Sequence, residues 1–260
     1  MMQLTFGFGA LEAEFWRWMF AMTRIGAAML AAPFFGAGSV PAQVRVIAAG
    51  AIAALVCGWT TVASPAALFS FAGVLAVAGE VLIGLALGFV LQLCFAAPTI
   101  AAEVIGGTMS MGMASAVDPH SGSHSPALGQ YFGVVLTLIF LGLGGHLHWI
   151  GLIVRSYGAF PPGETWLGAE RMAEIAGFAS AMFATAVAIA LPVTLVLVLV
   201  QVLAGVLSRS APALNLFSLG LPAGVLAGIA ALIVSAPLLT EQLADLSATA
   251  VDHAEKVVTR

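Results

Sequence analysis

The chain is 260 residues long, 61% apolar and 8% charged, with a formal net charge of −4. That balance is far from a soluble domain's. Lys256 is the only lysine, so there is neither a basic stripe for nucleic acid nor a polybasic patch for anionic lipid, and nucleic acid is excluded as a partner.

Five runs carry no Lys, Arg, Asp or Glu: Arg45 to Glu80, Glu80 to Glu103, Asp118 to Arg155, Glu174 to Arg209, and Arg209 to Glu241. Each exceeds the about 20 apolar residues that cross a bilayer core, which predicts an all-α, membrane-type protein and, most simply, one domain over 1–260. Before the first apolar stretch there is no basic n-region, and Glu12 and Glu14 fall where one would lie. This argues against a cleaved signal peptide, and residue 1 is expected to start the mature protein. In chain order the pattern predicts helices at about 10–35, 42–63, 66–97, 99–116, 127–157, 168–208, 212–237 and 238–258. Breaks are marked by Pro33 with Gly36 to Pro41, Ser64-Pro65, Pro98, Asp118 to Pro126, Pro161-Pro162-Gly163 and Ser208 to Pro212. In the last helix Leu239, Leu243, Leu246 and Val257 share one side while Glu241, Asp245, Asp252 and Glu255 take others, an amphipathic segment at a surface. Gly84 with Gly88, Gly129 with Gly133, and Gly220 with Gly224 and Gly228 have the small-residue spacing that lets helices approach. With 29 glycines such matches also arise by chance.

Basic residues fall on both sides of any alternating topology, so no orientation is favoured. Pro192, Pro222 and Pro237 lie inside proposed spans and free carbonyls that neighbours or a wet lumen must satisfy. Broken transporter helices or packing inside a larger assembly would each explain this. Glu80 and Glu103 are single carboxylates in apolar sequence, costly toward lipid. Each is expected either to pair, within a helix or across subunits, or to face a wet cavity. Arg17 and Arg24 share a helix face, Glu14 can reach Arg17 at i+3, and the cluster reads as structural. Arg209 is the only charge between Glu174 and Glu241 and is expected near the tip of a helix break over Ser208 to Pro222, reaching water, lipid phosphate or an acid by snorkelling.

No catalytic motif is present: there is no GxSxG, Walker loop or HExxH. His146 and His148, at i and i+2, point to different faces of a helix, and His120 and His124 lie in a Ser/Gly loop, so a metal is not expected. Cys57 and Cys94 read as buried hydrophobes. Gly106 to Pro126 is the most unusual stretch, with Gly106-Gly107 followed by Met109, Met111 and Met113 at alternate positions. On an extended strand the three thioethers share one side and can close around an irregular opening; on a helix they fill gaps in a core.

A succession of short motifs carries a family resemblance. Ala32-Pro33-Phe34-Phe35-Gly36 is followed by Val40-Pro41 and Val44-Arg45, then Gly79-Glu80 with Ile83-Gly84 and Gly88-Phe89, then Ala102-Glu103 with Gly106. Downstream come Asp118-Pro119, Phe140 with Gly145-His146, Pro161 with Gly163, Ala190-Leu191-Pro192, and Ser208-Arg209-Ser210-Ala211-Pro212 with Leu214-Asn215, Phe217 and Gly220-Leu221-Pro222. In this order and over nearly the whole length the chain resembles the FliR/SpaR family of type III export-gate subunits. Ala213 departs from it, where Gln is common.

The resemblance implies a subunit of a flagellar or injectisome export gate in the bacterial inner membrane. It implies assembly with FliP-like and FliQ-like subunits into a closed helical ring for unfolded export substrates, with FlhA-like and FlhB-like components nearby. The N-terminal part would be P-like and the C-terminal part a Q-like hairpin. The family's pore plug maps to Gly106, Gly107, Met109, Met111, Met113 and Val117, while Glu80, Glu103 and Arg209 stand as buried-charge or assembly residues. No cofactor and no enzymatic activity are implied. Two other readings stay open: a secondary transporter using Glu80 or Glu103 as coupling carboxylate, and a purely structural rod-base adaptor.

Overall fold

The computed structural model describes residues 10–36, 40–62, 70–109, 126–163, 168–210 and 221–259. Among them are seven helices and no strand: α1 (Ala10–Ala31), α2 (Ala42–Trp59), α3 (Phe71–Thr108), α4 (Pro126–Gly142), α5 (Gly145–Ala159), α6 (Ala169–Ser210) and α7 (Leu221–Thr259). By length and composition α2, α3, α6 and α7 can each cross a membrane, and α4 with α5, bent by 68° at their junction, can form a fifth, broken span.

The prolines and glycines act differently from their sequence reading at three places. The helix expected to end before Pro98 and the one expected to end at Pro237 run straight through them, and Pro192 lies inside a helix as expected. Each is followed within three residues by a threonine whose hydroxyl donates to a nearby carbonyl: Thr99 to Phe95, Thr194 to Leu191, and Thr240 to Ala236. Extra donors therefore sit in the turns where proline removes one, and without competing water the helix remains the best solution for the other backbone groups. Conversely, the single helix expected over 127–157 is broken at Gly144, whose φ of 71° is left-handed and open to glycine at little cost. At the start of α3, Ser70 caps the helix, its Oγ accepting from the Gly73 amide at 3.1 Å.

The described residues fall into two compact units. The first takes the chain up to Leu93, Gly144–Ala179 and the chain from Thr249; the second takes Cys94–Leu143 and Ser180–Ala248. In the first, α2 buries only Ala49, Gly50, Ala53 and Val56. Gly50 receives the Trp18 indole, whose Nε1 donates to its carbonyl at 2.9 Å. Gly84 and Gly88 bring α3 directly against α1: a Cβ on Gly84 would strike the Arg24 carbonyl, and one on Gly88 would stand 2.5 Å from both the Ala28 oxygen and the Ala31 Cβ. The chain leaving α1 then folds Phe34 and Phe35 onto Trp149, with ring centroids 6.2 and 6.0 Å away, and Trp149 Nε1 donates to the Leu87 carbonyl at 3.3 Å. In the second unit the core is built from small and branched residues such as Ala97, Ala101, Ile105, Leu136, Ala190, Val193 and Leu197. Phe95 there meets Phe140 edge-on at 6.0 Å.

Of the glycine pairs singled out above, the first therefore makes a true close approach, whereas Gly133 has nothing within 4 Å of a would-be Cβ. Gly88→Leu should consequently destabilise the protein by at least about 1–3 kcal/mol, the usual range for overpacking, while Gly133→Ala leaves stability unchanged or slightly raised. Thermal melts of the two variants in detergent check this; equal melting temperatures would refute the close packing of α1 on α3.

Candidate functional site

The most polar feature of the first unit lies in its core. Arg24 on α1 is 0% exposed and Glu80 on α3 is 1% exposed. They form a two-pronged pair, Nε to Oε2 at 2.7 Å and Nη2 to Oε1 at 2.9 Å. The guanidinium also donates from Nη1 to Ser156 Oγ at 3.1 Å and from Nη2 to the Phe160 carbonyl at 2.9 Å. Its carbon lies 4.2 Å from the centre of the Tyr157 ring, whose hydroxyl returns to α1 by donating to the Ala21 carbonyl at 2.6 Å. Glu80 Oε1 accepts in addition from the Gly163 amide at 3.4 Å. Both charges are thus hydrogen-bonded on several sides, the condition under which a buried pair survives desolvation.

This corrects two expectations. Glu80 is neither wetted nor left for another subunit: its partner is 56 residues back in the same chain. Arg24 does not act with Arg17, which instead pairs with Glu14 at 3.2 Å, as the i+3 spacing predicts, and donates to the Cys57 carbonyl. One signal could have revealed the pair, since Arg24, like Glu80, is a solitary charge in apolar sequence, and two solitary opposite charges are each other's cheapest neutralisation. Ser156 and Tyr157 had no such signal.

The other candidates are placed as follows. Glu103 belongs to the second unit and is exposed on α3. Arg209 is exposed in the last described turn of α6; the helix break expected over Ser208 to Pro222 falls largely on residues 211–220, outside the described residues. Gly106 and Gly107 do not interrupt α3, which continues to Thr108. Met109 prolongs the same turn, its amide donating to the Ile105 carbonyl at 2.9 Å, and its side chain is only 3% exposed. Met111, Met113 and Val117, with His120 and His124, lie outside the described residues. One residue went unnoticed in the sequence, Gln201 on α6, whose Nε2 donates to the Thr108 carbonyl, and Gly228, noted there only for its small-residue spacing, forms the surface beneath Met109. Among the described residues no three His, Cys, Asp or Glu side chains come together as a metal site. His148 turns Nδ1 to within 3.3 Å of the Gly144 carbonyl.

Residues 15–250 match the family described as "Bacterial export proteins, family 1". The chain is similar to the flagellar biosynthetic protein FliR of Escherichia coli (strain K12), with 31% identity covering 88% of this chain and 86% of that one. It is similar to the protein of the same name from Bacillus subtilis (strain 168), at 30% identity over 81% of this chain and 82% of the relative. The one from Aquifex aeolicus (strain VF5) is 30% identical, with 84% of each chain covered.

Removing one member of the buried pair strands the other. Glu80→Ala is therefore expected to cost about 3–5 kcal/mol, whereas Arg24→Met with Glu80→Leu, which leaves no charge behind, costs less than either single change. Denaturant unfolding of the three variants measures this. A Glu80→Ala protein as stable as wild type would show that the pair supports nothing.

Proposed function

The chain belongs to the bacterial export proteins of the FliR/SpaR family and is a component of the flagellar type III export apparatus, and we propose that it assembles with FliP-like and FliQ-like subunits into a gated passage through which unfolded export substrates cross the bacterial inner membrane at the flagellar basal body. In this reading 1–260 is a single export-gate domain with a P-like N-terminal part and a Q-like C-terminal part. It performs no chemistry of its own; energy enters through a separate ATPase and the proton-motive force, by way of FlhA-like and FlhB-like components.

The observation that carries the reading is the length of the outward apolar surface. On α3 exposed large apolar side chains run from Phe71 through Val74, Leu82, Leu85 and Phe89 to Val104, a span of about 50 Å at about 1.5 Å per residue. A hydrocarbon core is about 30 Å thick, and even the steepest usual tilt, about 40°, would leave part of that surface beyond it. Only 28% of the most apolar stretch of α6 and 22% of that of α7 is buried within the chain. Lipid covers part of this; subunits of complementary surface account for the remainder. A lone transporter is supported less, because Glu80 is fully engaged by Arg24 and Pro98, Pro192 and Pro237 lie in unbroken helices rather than at a midplane binding site.

Passage requires closure when no substrate is present, and Gly106 to Val117 is proposed as the plug, with Met109 at its anchored end and Met111, Met113 and Val117 beyond. Glu103 and Arg209, exposed on this chain, are proposed to meet charges of neighbouring subunits or the aqueous lumen.

Co-expression decides the assembly. The chain is expected to copurify in stable form with its P-type and Q-type partners and to aggregate without them. A monodisperse lone chain that takes up a small molecule after reconstitution would favour the transporter. Shortening Gly107 to Val117 should leave the complex intact while raising ion conductance in cells that make the complete gate without substrate. Wild-type conductance in that deletion would remove the plug and favour a purely structural adaptor.

A further inference from the structure

α3 keeps one side exposed along its length, and the character of that side changes. Up to Phe89 its exposed large side chains are apolar, among them Val74, Leu82, Leu85 and Phe89. Beyond Phe89 come Gln92, Thr99 and Glu103, all exposed; spaced seven and then four residues apart, they return to the side of the helix that bears Leu85 and Phe89. Here Val104 is the only large apolar side chain exposed among the described residues. The opposite side is core, with Cys94, Ala97, Ala101, Ala102 and Ile105 buried. The C-terminal half of α3 is thus amphipathic in the manner of a helix that meets water rather than lipid. No cation among the described residues pairs with Glu103, and a carboxylate turned to hydrocarbon would be costly.

Other helices of the second unit make the contrast. α6 exposes Leu195, Leu199, Val202 and Val206, and α7 exposes Ile229 and Ile233, surfaces that suit lipid or an apolar neighbour. α4 instead extends the polar face: a Cβ on Gly129 would stand at an ordinary 3.9 Å from Thr99 Cγ2, and the next residue, Gln130, is exposed. We propose that this face, formed by Thr99 and Glu103 of α3 with Gln130 of α4, lines the water-filled passage and is the surface of this chain along which the unfolded polypeptide slides. The inference rests on the gated-passage reading and deepens it by naming a wall. Hydroxyl, amide and carboxylate groups suit that task, since they stay hydrated and offer a passing chain no apolar pocket. The single negative charge attracts cationic stretches of that chain without enclosing them. A subunit interface would ask the opposite of Glu103, a desolvated carboxylate against a fixed cation.

The test uses the complete gate, this chain with its P-type and Q-type partners, in cells exporting a substrate whose C-terminal end is fused to a tightly folded domain, so that its unfolded part stalls in transit. A photoreactive benzophenone amino acid replaces Thr99, Glu103 or Gln130 on the proposed wall, and Leu199 or Val202 on α6 for comparison. Adducts with the stalled substrate are expected at the three wall positions and not at the two on α6. Glu103→Gln should assemble at wild-type yield, because no partner charge is stranded. Formaldehyde treatment of the same stalled complexes reports whether the substrate reached any gate subunit. If it did while the wall positions attach only to neighbouring subunits, or while the α6 positions capture the substrate equally, the inference falls and the passage stands. A lower complex yield for Glu103→Gln would likewise mark a paired charge and overturn it. Where the bulky ring prevents assembly, cysteine at the same position is treated during export with a water-soluble thiol reagent, and its protection counts against the wall. A stalled substrate that crosslinks to no subunit removes the gated passage, and the inference with it.

Discussion

A guanidinium and a carboxylate sealed from water cannot be left half satisfied, and the geometry of the first unit follows from that requirement. Arg24 needs partners in several directions, and it finds them on α3 in Glu80, on α5 in Ser156, and at the end of α5 in the Phe160 carbonyl. Each of those elements is thereby placed to hydrogen-bonding accuracy. Apolar packing alone would hold them together but would tolerate sliding, because a row of alanines and leucines looks much the same one turn along. The glycine at 84, one turn beyond Glu80, is what permits the approach, since its missing Cβ leaves room for the Arg24 carbonyl. Charge, glycine and aromatic ring thus act as one register device. Its energetic worth relative to a well-packed apolar core is small or negative; its worth in fixing one arrangement is the plausible reason for its presence, and the two are separable by comparing stability with uniqueness of fold in the uncharged double variant.

The class of fold was legible because composition and run length depend on the residues alone. Long uncharged stretches must be helical in an apolar medium, and the structure has helices in all of them. Boundaries were less legible. Pro98 and Pro237 are strong breakers in water, but their effect depends on whether the freed groups meet competing water, which the local sequence does not state. Gly144 was passed over for the opposite reason: three glycines among four residues in an apolar run read as tolerable within a helix, and only the left-handed conformation of the central one reveals the stop. Of the candidate site, the Glu14 to Arg17 contact was visible because it depends on neighbours in sequence. The partner of Glu80 was not, because it lies on another helix and chain proximity says nothing about it. Gly228 was visible only as one of many glycine pairs, and its close contact with the Met109 side chain appears only in the structure.

Helices of 38, 42 and 39 residues distinguish this chain from a simple bundle of spans. On α3 the excess length is apolar as well, whereas α6 opens with Glu170, Arg171 and Glu174 and the second half of α7 carries Glu241, Asp245, Asp252 and Glu255.

The first unit is completed by residues from both extremes of the chain. Arg155 of α5 pairs with Glu255 at 3.1 Å, and Phe178 of α6 stacks on His253 at 4.7 Å between centroids, so the end of α7 closes a cluster whose other members were made long before. During synthesis Arg155 and Phe178 therefore leave the ribosome before their partners Glu255 and His253, a delay of seconds at ordinary translation rates of about 5–20 residues per second. For that interval the nascent chain exposes faces that later become internal, and whichever protein or lipid shields them acts as a temporary substitute for its own tail.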